Sequence, residues 1–245
     1  MSFYKIILEY DGTNYSGWQR QKNTRDTIQQ VLEKKLSIIN KSYVRAISAG
    51  RTDAGVHAKE QVVNFKLDVD IPIERLPFAL NSLLPKDITC KDAKEADSEF
   101  HARYDTRGKL YRYRLSNCKI PSVFKRNYVY NIRSNIDFGK IKKTAPLLVG
   151  THDFASFQNS GSDIVDTVRT IERIDITEVD DEYHFSIEGN GFLYKMVRII
   201  IGTFIEIGLN KIELSEMSNI IKSKDRRKAG YTAPAKGLTL MKVYY

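Results

Sequence analysis

The run Ala49-Gly50-Arg51-Thr52-Asp53-Ala54-Gly55-Val56-His57-Ala58 gathers a carboxylate, a guanidinium and an imidazole on one short stretch. Gly50 and Gly55 bracket Arg51, Thr52 and Asp53. Glycine permits tight turns and lets the backbone come close to a ligand. β-rich sequence flanks the run, Tyr43 to Ser48 before it and Val62 to Leu67 after it. An acid and a base are therefore offered on a sharp loop between two strands. An aspartate ahead of Ala-Gly is also a common turn residue, so the loop by itself leaves two readings of Asp53 open.

Other chemistries would announce themselves by patterns this sequence lacks. It has no P-loop and no G-x-G-x-x-G, no G-x-S-x-G elbow, and no His-x-Glu with Cys-x-x-Cys. A two-metal nuclease needs several clustered acids, and this loop holds only Asp53. Cys90, Cys118 and the histidines are scattered, so neither a disulfide framework nor a metal site is expected. A lone aspartate accompanied by arginines and tyrosines suits covalent or acid–base work on a nucleoside.

Three other places carry candidate groups. In Lys109-Leu110-Tyr111-Arg112-Tyr113-Arg114-Leu115 a strand would turn Tyr111 and Tyr113 to one face and Arg112 and Arg114 to the other. The aromatic face could carry a base by stacking, worth roughly 1–3 kcal/mol per base; a half-buried structural strand fits the same alternation. The segment Phe192 to Gly208 is apolar almost all round and reads as a buried helix. A buried guanidinium is costly unless paired, so Arg198 should meet a carboxylate, with Asp11, Asp53 and Glu188 among those on offer. A purely structural salt bridge would meet the same need. Gly202, on the stripe of Arg198, leaves room for a close approach. In Gly17-Trp18-Gln19-Arg20-Gln21, Trp18 reads as a core anchor and Arg20 as a phosphate ligand.

The elements that must position these groups follow from periodicity and turn signals. Strands are expected at Tyr4 to Tyr10, Ile88 to Lys94, Lys109 to Leu115 and Tyr128 to Ile132. A pair at Val168 to Glu178 and Tyr183 to Glu188 turns at Asp180-Asp181, and Leu238 to Tyr244 closes the series. A loop is expected over 13–25. Helices are expected at Thr27 to Ile39 with Asp26 as N-cap, Pro72 to Leu84, Phe138 to Val149 despite Pro146, Phe192 to Gly208, and Leu214 to Ser223. Strands and helices mix without strict βαβ alternation, which favours an α+β class. The polar, basic stretch Phe100 to Arg107 marks a boundary between halves at 1–105 and 106–245.

The chain has 245 residues, 42% hydrophobic and 28% charged, which fits a globular protein with a substantial core. No apolar N-terminal run suggests a signal peptide, and the apolar segment ending at Leu209 is too short and too charged to span a membrane comfortably. A cytoplasmic location is expected. The net charge of +9 favours an anionic partner, nucleic acid first.

These residues resemble the bacterial tRNA pseudouridine synthase A family. The likeness runs through Glu9-Tyr10-Asp11-Gly12, Gly17-Trp18-Gln19-Arg20-Gln21, Ala49 to Ala58, Phe100-His101-Ala102-Arg103, Tyr111-Arg112-Tyr113, His152-Asp153-Phe154 with Ser156-Phe157, and Met196-Val197-Arg198 through Gly202. The resemblance implies isomerisation of uridine to pseudouridine in RNA, without cofactor or metal. It implies Asp53 as the essential aspartate, Tyr111 as the ring that stacks on the target base, and Arg198 as the basic residue that pairs with the aspartate. Arg51 would hold the flipped nucleotide out, and Arg20 and His57 are taken as RNA contacts. The implied fold is α+β, two similar halves with a mixed, mainly antiparallel sheet spanning both and a basic cleft between them. The implied partners are a second copy and the anticodon arm of tRNA, at positions 38, 39 and 40. A non-catalytic RNA-binding or RNA-folding protein, a synthase acting on ribosomal RNA, and a metal-dependent nuclease are the alternatives. One departure stands out: many relatives carry glycine where Glu60 precedes Gln61 here, which puts a carboxylate near the expected RNA path.

Overall fold

In a computed structural model, residues 2–24, 26–161 and 164–245 are described. Two compact units emerge, one of residues 1–107 with 239–245, the other of residues 108–238. In the first, β1 (Ser2–Tyr10) alternates in burial, with Tyr4, Ile6, Leu8 and Tyr10 inside, as the period of two in a strand demands. Helix α1 (Ile28–Asn40) buries Ile28, Leu32 and Leu36 on one face. Its N-cap is Thr27, whose side chain accepts from the Gln30 backbone N–H; the sequence had offered Asp26, one residue too early. The loop expected over 13–25 precedes it; its last residue, Arg25, lies outside the described residues.

The strand β2 (Ile47–Ser48) is far shorter than the β-rich stretch that holds it, whereas β3 (His57–Leu67) starts five residues earlier than its apolar core suggests. The stretch 72–84 gives a 3-10 turn at Ile73–Arg75 and a short helix α2 (Leu76–Asn81). Strand β4 (Ile88–Glu95) pairs with β1, and β1 pairs with β3, both antiparallel. β2 lies antiparallel against Val63 and Asn64 of β3.

The second unit begins with β5 (Gly108–Ser116), which the two-residue β6 (Tyr130–Asn131) joins in parallel. Helix α3 (Phe138–Thr144) stops before Pro146, and the chain tightens into a 3-10 turn at Ala145–Leu148; proline lacks the N–H that an α-helix would use there. Strand β7 (Gly150–Asp153), absent from the sequence reading, is a four-residue edge on β8 (Val168–Val179). β8 and β9 (Glu182–Gly189) form the expected hairpin, and β9 pairs with β5.

Helix α4 (Met196–Gly208) starts four residues later than its apolar run, because Lys195 adopts a left-handed conformation at φ 60°. Helix α5 (Glu216–Ser223) follows. β10 (Leu238–Tyr244) is formed as expected, but residues 239–245 belong to the first unit rather than to the C-terminal half. There Thr239 and Leu240 run parallel to His57 and Ala58 of β3. The α+β class is what both units display. Among the described residues no helix is long and apolar enough to cross a membrane.

Candidate active site

Arg51, Thr52 and Asp53 leave the loop with different exposures: Arg51 is exposed, Thr52 is buried at 6%, and Asp53 is half-buried. Thr52 is what fixes the other two. Its Oγ1 lies 2.8 Å from the Tyr10 hydroxyl, and its carbonyl accepts from the Trp18 N–H at 3.0 Å. The Gln61 side-chain N–H donates to the Gly50 carbonyl at 2.8 Å and to the Tyr10 hydroxyl at 3.4 Å. Tyr10 thus receives a hydrogen from Gln61, which orients its own toward Thr52. Burial pushes the Tyr10 phenol up to about 12, with the bonds to Thr52 and Gln61 pulling the other way, so it stays a donor at neutral pH. The Gln61 Oε1 is buried without a partner among the described residues. Turning the amide over would set that oxygen against the Gly50 carbonyl, so the orientation stands.

A second loop, residues 12–18, braces the first. The Gly55 N–H donates to the Tyr15 carbonyl at 3.2 Å, and Val56 N–H closes a turn on the Asp53 carbonyl at 3.1 Å. Gly55 needs its φ of 78° for that turn, and a side chain is disfavoured there. Gly17, at φ 88°, lies so close to the Thr52 carbonyl that a Cβ would sit 2.6 Å from it. Trp18 is a core anchor, as expected, 1% exposed and packed on Tyr10.

The proposed RNA contacts are placed unevenly. His57 is only 4% exposed; its Nδ1 accepts from the Gly12 N–H and lies 3.1 Å from an Asp11 carboxylate oxygen. Burial turns it to the inside of the loop rather than toward a phosphate. The Arg20 guanidinium pairs with Glu33, whose side chain is 1% exposed, and lies over the Tyr43 ring. About half of Arg20 still reaches solvent. Its first task is to neutralise a buried carboxylate that also accepts from the Ala46 N–H and the Gln29 amide.

In the second unit, Tyr111 and Tyr113 share the buried face of β5. Tyr111 meets the edge of Phe192 at 5.2 Å, nearly perpendicular. Tyr113 donates its hydroxyl to the Pro234 carbonyl at 2.8 Å. The arginine face is largely committed: Arg114 makes two bonds to Glu182, and Arg112 donates to Ser186. Arg198 is half-buried on α4. Its Nε donates to the Ala233 carbonyl at 2.7 Å, while its own carbonyl accepts from the Ala233 N–H at 3.0 Å. The room anticipated at Gly202 is used: a Cβ there would stand 1.7 Å from the Tyr231 carbonyl. The segment 230–233 is thereby laid against α4, with Thr203 Oγ1 accepting from the Gly230 N–H at 2.9 Å.

The sequence reading missed Tyr10, Thr52 and Gln61 as a group. Their letters lie 42 and 51 positions apart at the extremes, and only the pairing of β1 with β3 brings them together. The signal available was Gln61 at the head of the alternate positions Val63, Phe65 and Leu67, a polar residue in line with an apolar stripe of β3.

Comparison with known proteins bears on what this arrangement does. A family model described as tRNA pseudouridine synthase matches residues 6–105 and 144–245. The chain is similar along its length to curated proteins called tRNA pseudouridine synthase A. That of a Thermoanaerobacter species is 49% identical over 240 residues, 98% of each chain. That of Acetivibrio thermocellus is 46% identical over 241 residues, again 98% of each. That of Bacillus subtilis is 46% identical over 243 residues with the same coverage.

Proposed function

The chain belongs to the tRNA pseudouridine synthase family, and from that premise we propose that it isomerises uridine to pseudouridine in the anticodon arm of tRNA, at positions 38, 39 and 40, with Asp53 as the essential catalytic residue. In that reaction the bond from N1 of uracil to the ribose C1′ breaks, the base reorients, and C5 bonds to C1′. The proton leaving C5 balances the one N1 gains, so mass is unchanged.

The observation that carries the reading is the anchoring of Thr52. With Thr52 buried and bonded at both its hydroxyl and its carbonyl, the neighbouring carboxylate is held partly open to solvent on a loop that has little freedom to move. A preorganised carboxylate can serve as nucleophile or as general base without reorganisation cost. Arg51, exposed beside it, supplies positive charge for a flipped nucleotide, whose extrusion costs a few kcal/mol. By the family resemblance, Tyr111, whose ring packs against Phe192, is assigned the stacking role, and Arg198 the role of the basic residue that serves the aspartate. Arg20 contributes charge from its open half, and His57 acts from inside, shaping the loop. A cytoplasmic homodimer is the form the family resemblance supports.

The test is chemical labelling of pseudouridine in unmodified tRNA transcripts. Asp53→Ala and Asp53→Asn should abolish product while tRNA binding survives; product from a clean Asp53→Ala preparation would overturn the assignment. Wild-type protein that binds the transcripts and forms no product would mark a binding protein instead.

A further inference from the structure

Phe100-His101-Ala102-Arg103 is one of the segments that carry the family resemblance, yet the reaction proposed above leaves it without a task. In the structure it forms a turn whose backbone is tied down while its side chains are displayed. Ala102 is fully buried, and its N–H donates to Asn64 Oδ1 at 2.9 Å. The Asn64 amide returns a bond to the Phe100 carbonyl. The Ala102 carbonyl accepts from the Tyr245 hydroxyl at 2.7 Å and from Thr106 Oγ1 at 2.8 Å. From this anchored turn Tyr104 projects 75% exposed. Its ring lies 4.1 Å from that of His101, stacked at 27°, and the exposed Arg103 guanidinium lies loosely over it, 5.9 Å from its centre, where a base could displace it toward a phosphate. Behind them Lys5 lies over the rings of Phe100 and Tyr245, so rings and cations interleave.

We infer that this turn is a stacking platform for a nucleobase of the RNA substrate, with Tyr104 as the stacking ring and Arg103 as the contact to the adjoining phosphate. A large aromatic held on a rigid backbone, one face covered by His101 and most of its surface open, loses little entropy when a base lies on it. Every base offers a π-face, so such a platform binds without selecting sequence. The nearby acids do not forbid it. Asp105 and Asp97 each turn a carboxylate oxygen onto a backbone N–H, those of His101 and Glu99. The inference rests on the proposed action upon tRNA, and it extends the bound surface beyond the Asp53 loop.

Equilibrium binding of an unmodified tRNA transcript, read beside pseudouridine formation, tests it. Tyr104→Ala should weaken binding roughly five- to 150-fold, the span of one lost base stack, whereas Tyr104→Phe should bind within about twofold of wild type, as expected of a ring contact. Arg103→Gln should reduce the salt slope of the affinity by about one. Phe78, 78% exposed on α2, is the control, and Phe78→Ser should leave binding as it is. Wild-type affinity in Tyr104→Ala, or an equal loss in Phe78→Ser, overturns the platform. A wild type that binds the transcript without isomerising it overturns the proposed reaction and leaves the platform standing; a wild type that fails to bind overturns both.

Discussion

Asp53 owes its position to residues that never reach solvent. Tyr10 and Gln61 hold Thr52 and Gly50, and the carboxylate rides between them and the turn at Gly55. Removing one hydroxyl should therefore show in the rate. We expect Tyr10→Phe to lower kcat about tenfold with tRNA affinity within about twofold, since misplacement by an ångström costs up to about a hundredfold. Thr52→Ser, which keeps Oγ1, should stay near wild type, and Thr52→Val should resemble Tyr10→Phe. Single-turnover rates measure this, and losses in Tyr10→Phe confined to affinity would refute it. Tyr111 carries a second expectation: Tyr111→Phe should cost less than Tyr111→Ala, because stacking uses the ring; equal losses would assign the work to the hydroxyl. At this scale the sequence was legible where a residue type admits few uses. Asp53 stood out as the one acid in its loop, and Gly202 as room for a neighbour. The buried state of His57 was not legible, since nothing local says which way an imidazole at a strand start will turn. Nor was the backbone carbonyl of Ala233 as a partner of Arg198, because carbonyls have no letter.

Elements are held by a few contacts whose loss should be measurable. A Cβ at Gly202 meets the Tyr231 carbonyl at 1.7 Å, so Gly202→Ala must push segment 230–233 off α4. Overpacking of a rigid site costs about 1–3 kcal/mol, and denaturant unfolding should place this change at the upper end. Glu182, 3% exposed at the start of β9, joins Arg114 of β5 to Lys125 and His184. Burial opposes its ionisation, but Arg114 and Lys125 outweigh it and hold the carboxyl at about 2, below the usual 4.5. A carboxyl depressed in the folded state stabilises fully above its unfolded value and loses that contribution as pH falls from about 4.5 toward 2. Glu182→Gln should thus cost about 2 kcal/mol at pH 7, less than for a fully buried pair because Arg114 and Lys125 are about a third exposed. The gap to wild type should close as the pH approaches 2; a gap constant with pH would rule the ion pair out. Element existence was largely readable from periodicity. The ends were not: a left-handed Lys195 delays α4, and Thr27 rather than Asp26 caps α1, because capping depends on where the backbone has already turned.

For the molecule as a whole, the charge of +9 makes tRNA affinity a salt-dependent quantity. Each phosphate neutralised should add about −0.9 to the slope of log affinity against log salt, and a flat response in binding titrations would argue against a basic RNA-binding surface. Fold class was readable from the mixture of strands and helices, but the return of β10 to the first unit was not, because a strand's letters name no partner. That return has a consequence for synthesis. β10 runs beside His57 and Ala58, the residues by which the Asp53 loop enters β3, yet all of residues 108–238 are translated between them. The loop therefore leaves the ribosome long before the strand that will lie beside its entry into β3 has been made. A chain cut short within the second unit would carry the loop together with Tyr10, Gln61 and the 12–18 segment that brace it, and would lack the strand that runs beside its entry into β3.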